Sequence, residues 1–141
     1  MELGLKGKVA LITGGSEGIG KATASSMASE GAHVIICARR SDVLDQAAKD
    51  IKLVSGCEIR TIQADVSQTG QIEELFNKII EIYGRVDILV NNAGTSAAGS
   101  FTKVSDEEWQ YDLDLKLFAA IRCSRLAIPH MIANGGGRII N

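Results

Sequence analysis

Short apolar runs alternate with longer segments of helical periodicity along this chain, and this alternation restricts the possible folds more than any other feature. The run 9–12 is apolar at every position, which is typical of a strand buried on both faces of a parallel sheet. The segments between the runs are too long for hairpin turns, so each can cross the sheet as a helix. We therefore predict an α/β fold with a Rossmann-type doubly wound parallel sheet. The predicted strands are 9–12, 34–38, 58–63, 86–90 and a fifth that starts at 138.

Capping and stop signals delimit the predicted helices between these strands. Ser41 or Asp42 can cap the second helix, and Ser67 opens the third. Ser105, with Glu108 three residues later, forms a capping box for the last one. The predicted helices are 21–30, 41–54, 67–83 and a long segment from about 105 to the glycines at 135–137.

A stripe of apolar residues follows this last helix at helical spacing. We interpret the stripe as core or as an interface with another chain. Its members are Trp109, Leu113, Leu117 and Ala120.

The first predicted strand runs directly into the glycine turn, residues 13–20, with the sequence Thr-Gly-Gly-Ser-Glu-Gly-Ile-Gly. Backbone N–H groups at a helix N-terminus attract phosphate when no side chain blocks the approach. Gly14 and Gly18 permit a tight turn, and Gly20 lets the helix pack against the strand. Ser16 adds a hydroxyl donor. The turn therefore predicts a binding site for the phosphates of a dinucleotide.

Two other interpretations of these glycines are weaker. Glycines can form a loop without binding anything, but this cluster lies where a strand passes into the first helix of an alternating series. The sequence of residues 15–21 also comes close to the P-loop motif of nucleotide hydrolases. The next residue is Ala22, whereas that motif needs a Ser or Thr hydroxyl for Mg²⁺.

The glycine spacing T-G-x-x-x-G-x-G, Asp65-Val66 after the third strand and Asn-Asn-Ala-Gly at 91–94 together resemble the short-chain dehydrogenase/reductase family. The resemblance runs from residue 8 to 141. It implies hydride transfer between a nicotinamide and a small-molecule carbonyl or alcohol, and a homo-oligomer. It places Asp65 and Val66 at the adenine, and Asn91 as a tie between neighbouring strands. The resemblance also implies that Asn92, Ala93 and Gly94 line the crevice beside the adenosine ribose.

The end of the second strand favours NADP over NAD. Folds that prefer NAD carry an acid at this point, which accepts a hydrogen bond from the ribose 2′-OH. Here the family position of that acid is Ala38, followed by Arg39 and Arg40, whose guanidinium groups can grip a 2′-phosphate. Glu17 opposes this assignment unless it points to solvent or pairs with Arg39. The predicted cofactor site comprises Gly14, Ser16, Glu17, Gly18, Ile19, Gly20, Arg39, Arg40, Asp65, Val66, Asn92, Ala93 and Gly94.

No catalytic residue is assigned. The family uses a Ser and a Tyr with a Lys four residues later, which the resemblance places after residue 141, and neither Tyr83 nor Tyr111 has such a Lys. We expect residues 1–141 to be one incomplete dinucleotide-binding domain that is inactive alone. Lys116 falls on the position of the family's helix Asn, where it is either part of a proton relay or an exposed helix residue. A non-catalytic dinucleotide-binding or regulatory module remains the alternative.

Composition excludes several other classes. A net charge of −2 lacks the excess of positive charge that is typical of nucleic-acid-binding proteins. No apolar run comes near the roughly 20 residues that are needed to span a bilayer. Cys37, Cys57 and Cys123 have no metal-ligand spacing and are expected to be small apolar residues in a cytoplasmic protein. The two histidines lack clustered carboxylates, so no metal site is predicted.

Overall fold

The computed structural model describes residues 3–96 and 98–141, which form a parallel five-stranded sheet in the order β3-β2-β1-β4-β5. The predicted Rossmann-type fold is confirmed. The strands are β1 (Val9–Thr13), β2 (His33–Ala38), β3 (Arg60–Gln63), β4 (Ile88–Val90) and β5 (Arg138–Ile140). The helices are α1 (Gly18–Ser29), α2 (Ser41–Ser55), α3 (Thr69–Tyr83), α4 (Asp106–Leu113) and α5 (Ala119–Ala133), with a π-helical segment, Asp114–Phe118, between the last two.

The strand order reverses beside β1, which pairs with β2 on one side and with β4 on the other. In open parallel sheets the crossovers leave such a switch point uncovered, so a crevice forms outside the carboxyl ends of the two strands. The register sets Thr13 opposite Cys37, and Ile12 opposite Val90. The residues that follow β1, β2 and β4 therefore lie close together at the carboxyl-terminal end of the sheet.

Hydrophobic clusters cover both faces of the sheet because successive side chains along a strand point to opposite sides. Leu11 and Ile35 pack with α3 and α5, whereas Ile12 and Ile36 pack with α1 and α2. The buried face of α1 carries only small residues, which brings this helix close to β1; they are Gly20, Ala24 and Ala28.

Asp87 lies at the amino-terminal end of the sheet, just before β4, and no role was predicted for it from the sequence. Its carboxylate is 3% exposed and accepts hydrogen bonds from the Val9 N–H at 2.9 Å and from the Arg85 guanidinium at 2.6 and 2.9 Å. Burial raises the pKa of the Asp87 carboxyl, but the hydrogen bonds from Arg85 and Val9, together with the positive charges of Arg85 and Lys8, outweigh it and hold that pKa below its ordinary value. The carboxylate thereby ties the start of β1 to β4.

The helix starts differ from the prediction at three places, and the first is α1, which begins at Gly18 rather than at residue 21. α2 begins at Ser41 after Arg40, whose side chain pairs with Glu17, so neither Ser41 nor Asp42 is the capping residue. Ser67 does not cap α3, which begins at Thr69; its hydroxyl donates to Asp65 instead. A local bond to the carboxylate two residues back takes the place of the cap because short polar side chains bond readily to near neighbours. α2 and α3 end at glycines in the left-handed conformation, Gly56 and Gly84.

The capping box at the start of α4 is confirmed. The Ser105 hydroxyl accepts from the Glu108 N–H at 3.2 Å, and the Glu108 carboxylate accepts from the Ser105 N–H at 2.8 Å. The core interpretation of the stripe that begins at Trp109 is wrong, since Trp109 is 43% and Leu117 48% exposed. Trp109 and Leu113 lie on α4, which has no buried residue, and in the π-helical segment that follows it is Leu115 rather than Leu117 that is buried. The interface interpretation stays a prediction.

The buried face of this helical region carries other residues than the stripe. Leu115 lies on this face within the π-helical segment. Its other members are Ala119, Cys123, Ala127 and Met131.

All three cysteines are free thiols. Cys37 and Cys123 are buried, as predicted, and Cys57 is half-buried. Burial raises the pKa of the Cys37 thiol to about 12, so it stays protonated at neutral pH. None of the helices in residues 3–96 and 98–141 combines the length and the apolar character that crossing a membrane requires.

Candidate functional site

A cavity of about 370 Å³ opens at the carboxyl ends of β1, β2 and β4. The glycine turn, the arginines after β2 and residues 92–94 border it on different sides. The structure thus brings the sequence-predicted residues to one place, with Gly20 packed directly behind the turn. The predicted residues in the lining are Gly14, Ser16, Glu17, Gly18, Ile19, Arg39, Arg40, Asp65, Val66, Asn92, Ala93 and Gly94. Residues that the sequence analysis did not assign are Cys37, Ala64, Thr95 and Leu115, with Ala38 beside them.

The glycine turn lies in backbone contact with the end of β4. Gly14 has φ +65°, and a Cβ there would lie 2.9 Å from the Ala93 Cα. A Cβ on Gly20 would overlap both the Gly14 carbonyl oxygen and the Asn92 amide nitrogen. Neither position has room for a side chain, so the roles predicted for both glycines agree with their surroundings. Gly15, for which no role was predicted, is equally crowded by Ile36 on β2.

Hydrogen bonds from Thr13 and Asn92 hold this contact together. The Thr13 hydroxyl accepts from the N–H groups of Asn92 and Ala93, each at 3.0 Å. The Asn92 amide nitrogen donates to the carbonyl oxygens of Thr13 and Gly14 at 3.1 and 3.0 Å. The side chain of Asn92 therefore fixes the turn to β4, a role that its place in the family motif does not reveal.

Asn91 ties neighbouring strands together, as predicted. Its backbone N–H donates to the Ile140 carbonyl at 2.8 Å, and its side-chain amide donates to the Asn141 side chain at 2.8 Å. The same amide nitrogen reaches the Ser124 hydroxyl on α5 at 3.4 Å. The end of β4 is thus joined to both β5 and α5.

Asp65 closes the turn between β3 and α3. One carboxylate oxygen accepts from the Ser67 N–H at 2.9 Å and from the Ser67 hydroxyl at 2.7 Å. The Asp65 N–H donates to the Gln71 side chain at 2.7 Å. The backbone of Asp65, which borders the cavity, is therefore held in place.

The two arginines after β2 have different partners. Arg40 pairs with Glu17 at 3.1 Å, across the mouth of the cavity. The pairing of Glu17 with Arg39 that the sequence left open is therefore wrong. Arg39 donates from Nη1 to the Tyr111 hydroxyl at 2.8 Å, and its backbone carbonyl accepts from the Gln63 amide at 2.8 Å. Among the residues that the structure describes, no carboxylate forms an ion pair with Arg39.

Lys116 lies in the π-helical segment at the side of the cavity. Its Nζ is 2.8 Å from a carboxylate oxygen of Asp112, four residues earlier. Its side-chain carbons lie 4.0 Å from the point where a Cβ on Gly94 would be. The ammonium is therefore next to the strand end that borders the cavity, paired and partly exposed.

Comparison with known proteins relates these features to one family. A family model described as short chain dehydrogenase matches residues 8–141. The uncharacterized oxidoreductase YvrD of Bacillus subtilis is 39% identical over 141 residues, which is 100% of this chain and 52% of that protein. The chain spans about half the length of the curated relatives that it matches.

Solved structures agree in fold. L-sorbose reductase from Gluconobacter frateurii, complexed with NADPH and L-sorbose, matches at a TM-score of 0.93 and 40% identity over 99% of this chain and 53% of that one. A metagenomic short-chain oxidoreductase in complex with NADP matches at a TM-score of 0.91 and 35% identity, over 97% of this chain and 62% of that one.

Proposed function

We propose that this chain, which belongs to the short-chain dehydrogenase family, binds NADP(H) as the cofactor-binding part of an oxidoreductase. The main support for this proposal comes from the residues at the end of β2. Ala38 stands where a fold that prefers NAD has a carboxylate, and Arg39 follows it at the cavity without a carboxylate partner among the described residues. An uncompensated guanidinium at this place attracts a 2′-phosphate, which a carboxylate would repel.

The residues around the cavity fit the phosphates of a dinucleotide. The first turn of α1 borders the cavity, and the N–H groups that begin a helix have no partners within it, so they attract an anion. The space above Gly18 is open, since a Cβ there would meet nothing within 4 Å. On this proposal the turn holds the pyrophosphate, with Ser16 as an added donor. Asp65 and Val66 border the adenine, and Arg39 holds the 2′-phosphate.

The proposed reaction is hydride transfer between the nicotinamide and a small-molecule carbonyl or alcohol. Bound NADP(H) supplies or accepts the hydride, and the residues of this chain bind and orient the cofactor. A solved relative that is complexed with NADPH and L-sorbose supports this class of reaction. The chain contains no Tyr followed four residues later by Lys, so we expect turnover from the full-length protein and none from residues 1–141 alone.

Turnover separates this function from that of a non-catalytic binding module. Full-length protein mixed with NADPH and a panel of ketones, aldehydes, sugars and acyl thioesters should consume NADPH, followed as loss of its absorbance. Binding of NADPH without turnover on any of these carbonyls would favour the regulatory module.

Replacing Arg39 tests the choice of cofactor. Arg39→Ala should raise the KM for NADPH by about tenfold to a hundredfold, because hydrogen bonds to a charged group are each worth roughly 1.5–3 kcal/mol. The KM for NADH should change by no more than about twofold. Arg60→Ala is the matched control, since Arg60 is exposed at the opposite end of β3. Equal losses for both cofactors would overturn the NADP assignment.

A further inference from the structure

Tyr111 of α4 reaches across the adenosine end of the cavity to Arg39, a residue 72 positions away in the chain. The Tyr111 hydroxyl accepts from Arg39 Nη1 at 2.8 Å. Leu115, four residues after Tyr111, is 5% exposed and lines the cavity. Tyr111 therefore approaches Arg39 from the helical region that also supplies Leu115 to the cavity lining. Neither the glycine turn nor the strand ends contribute this contact.

The bond to Tyr111 leaves the phosphate-binding edge of Arg39 available. A guanidinium has five N–H donors in a planar fork, and Tyr111 takes one of those on Nη1. The Nε and Nη2 donors form a parallel pair that matches two phosphate oxygens. A phenol is also neutral, so it holds the guanidinium without cancelling its charge.

Arg40 differs from Arg39 in its partner and in how far its charge is offset. Its guanidinium is paired with the Glu17 carboxylate at 3.1 Å, so the charges of these two side chains offset each other. Arg39 is held at both ends instead, through its backbone carbonyl by Gln63 and through Nη1 by Tyr111. Of the two arginines, Arg39 is therefore the oriented one with uncompensated charge.

We propose that Tyr111 is a positioning residue for cofactor choice, because its hydrogen bond holds Arg39 at the place where a 2′-phosphate binds. This inference rests on the proposed NADP(H) function. A long arginine side chain loses rotamer freedom when it binds an anion, and a side chain that is already held loses less. Tyr111 thus favours nucleotides with a 2′-phosphate and leaves those with a free 2′-OH nearly unaffected.

The test uses two nucleotides that lack the nicotinamide half, adenosine 2′,5′-bisphosphate and 5′-AMP. Their dissociation constants are measured by calorimetry on the full-length protein. Tyr111→Phe keeps the ring and removes only the hydroxyl, and Tyr111 as a whole is 39% exposed, so the fold should persist. It should weaken the bisphosphate about threefold to tenfold and change 5′-AMP by less than about twofold. Tyr83→Phe is the matched control, since Tyr83 packs beside His33 away from the cavity, and it should change neither constant.

A double-mutant cycle separates this inference from the function on which it rests. In the Arg39→Ala background, Tyr111→Phe should have no further effect on the bisphosphate. If Arg39→Ala itself leaves the bisphosphate as tightly bound as in the wild type, the NADP assignment fails. If Arg39→Ala weakens it and Tyr111→Phe does not, the role of Tyr111 alone is overturned. Tighter bisphosphate binding in Tyr111→Phe, or equal weakening of both nucleotides, would also overturn that role.

Discussion

The glycine turn and the arginine pair border the same cavity but are built in opposite ways. The turn is a backbone structure in which Gly14, Gly15 and Gly20 leave no space for a Cβ. The carbonyls of Thr13 and Gly14 in it accept hydrogen bonds from Asn92. The arginine pair, Arg39 and Arg40, consists of side chains in solvent, where the Arg40–Glu17 partners are 64% and 68% exposed. A change in the turn must therefore move the chain, whereas a change in the arginine pair mainly alters charge.

This difference separates binding from discrimination. An exposed ion pair contributes about 0–1 kcal/mol to folding, so the arginine pair can vary with little effect on stability. The turn cannot vary in that way, since the contact between β1, α1 and β4 passes through it. We expect substitutions in the turn to affect folding and both cofactors together, and substitutions near the arginine pair to change the preference between cofactors.

The largest effect should come from Gly20→Ala. The added methyl group would overlap the Gly14 carbonyl and displace the Asn92 amide, so we expect a loss of about 2–4 kcal/mol in the free energy of unfolding. Binding of NADPH and of NADH should weaken by similar factors. Urea unfolding and cofactor titration of the full-length protein measure the two quantities.

Gly70→Ala is the matched control for this substitution. Gly70 is in the first turn of α3, and a Cβ there would meet nothing within 4 Å. Alanine at a compatible position stabilises by about 0.4–1 kcal/mol. If Gly20→Ala were as stable as Gly70→Ala, the turn would be no more constrained than an open helix position, and the comparison between the two regions would fail.

A smaller effect is expected from Glu17→Gln, which lies where the two regions meet. The substitution removes the carboxylate that offsets Arg40 and leaves the turn's backbone unchanged. NADPH should bind about twofold to fivefold more tightly at low salt, NADH should change less, and unfolding should shift by less than about 0.5 kcal/mol. The gain should shrink in high salt because exposed charges are screened.

Weaker NADPH binding in Glu17→Gln would contradict this expectation. It would mean that the carboxylate orients Arg40 toward the cofactor, so that the pair acts as a unit. Glu30→Gln at the exposed end of α1 is the matched control for charge, and it should leave both cofactors unaffected.

The sequence predicted the turn better than it predicted the arginine pair's surroundings, for a physical reason. Gly14 and Gly20 are required by contacts between neighbouring segments, and a strand that passes into a helix identifies such a place from local pattern alone. The partner of Arg39 is 72 residues away on α4, and local pattern carries no information about that distance. The role of Asp87 could not be predicted either. It is a single carboxylate at the start of a strand, and its partners include the Val9 N–H on another strand as well as Arg85.

The last helical region shows where periodicity fails. The capping box at Ser105 and Glu108 is a four-residue signal, and it is confirmed. The apolar stripe assumed one continuous α-helix, but the π-helical segment interrupts it and places Leu115 on the buried face. The segment also brings Lys116 beside Gly94, next to the cavity.

The smallest effect is expected for Lys116, which belongs to neither region. Its ammonium pairs with Asp112 one helical turn away, and such pairs contribute about 0.2–0.5 kcal/mol to a helix. We expect Lys116→Ala and Lys116→Asn to lower the free energy of unfolding by no more than that amount and to change kcat less than about threefold. Both are measured on the full-length protein with NADPH, and Lys103→Ala, in the exposed turn before α4, is the matched control. An ammonium donates but cannot accept, so a relay that runs through Lys116 requires a hydrogen-bond donor, which the side-chain NH2 of Asn also supplies. A loss of kcat in Lys116→Ala that Lys116→Asn rescues would therefore make this position part of the reaction. Unchanged kcat in both would make Lys116 an exposed structural residue of the helix.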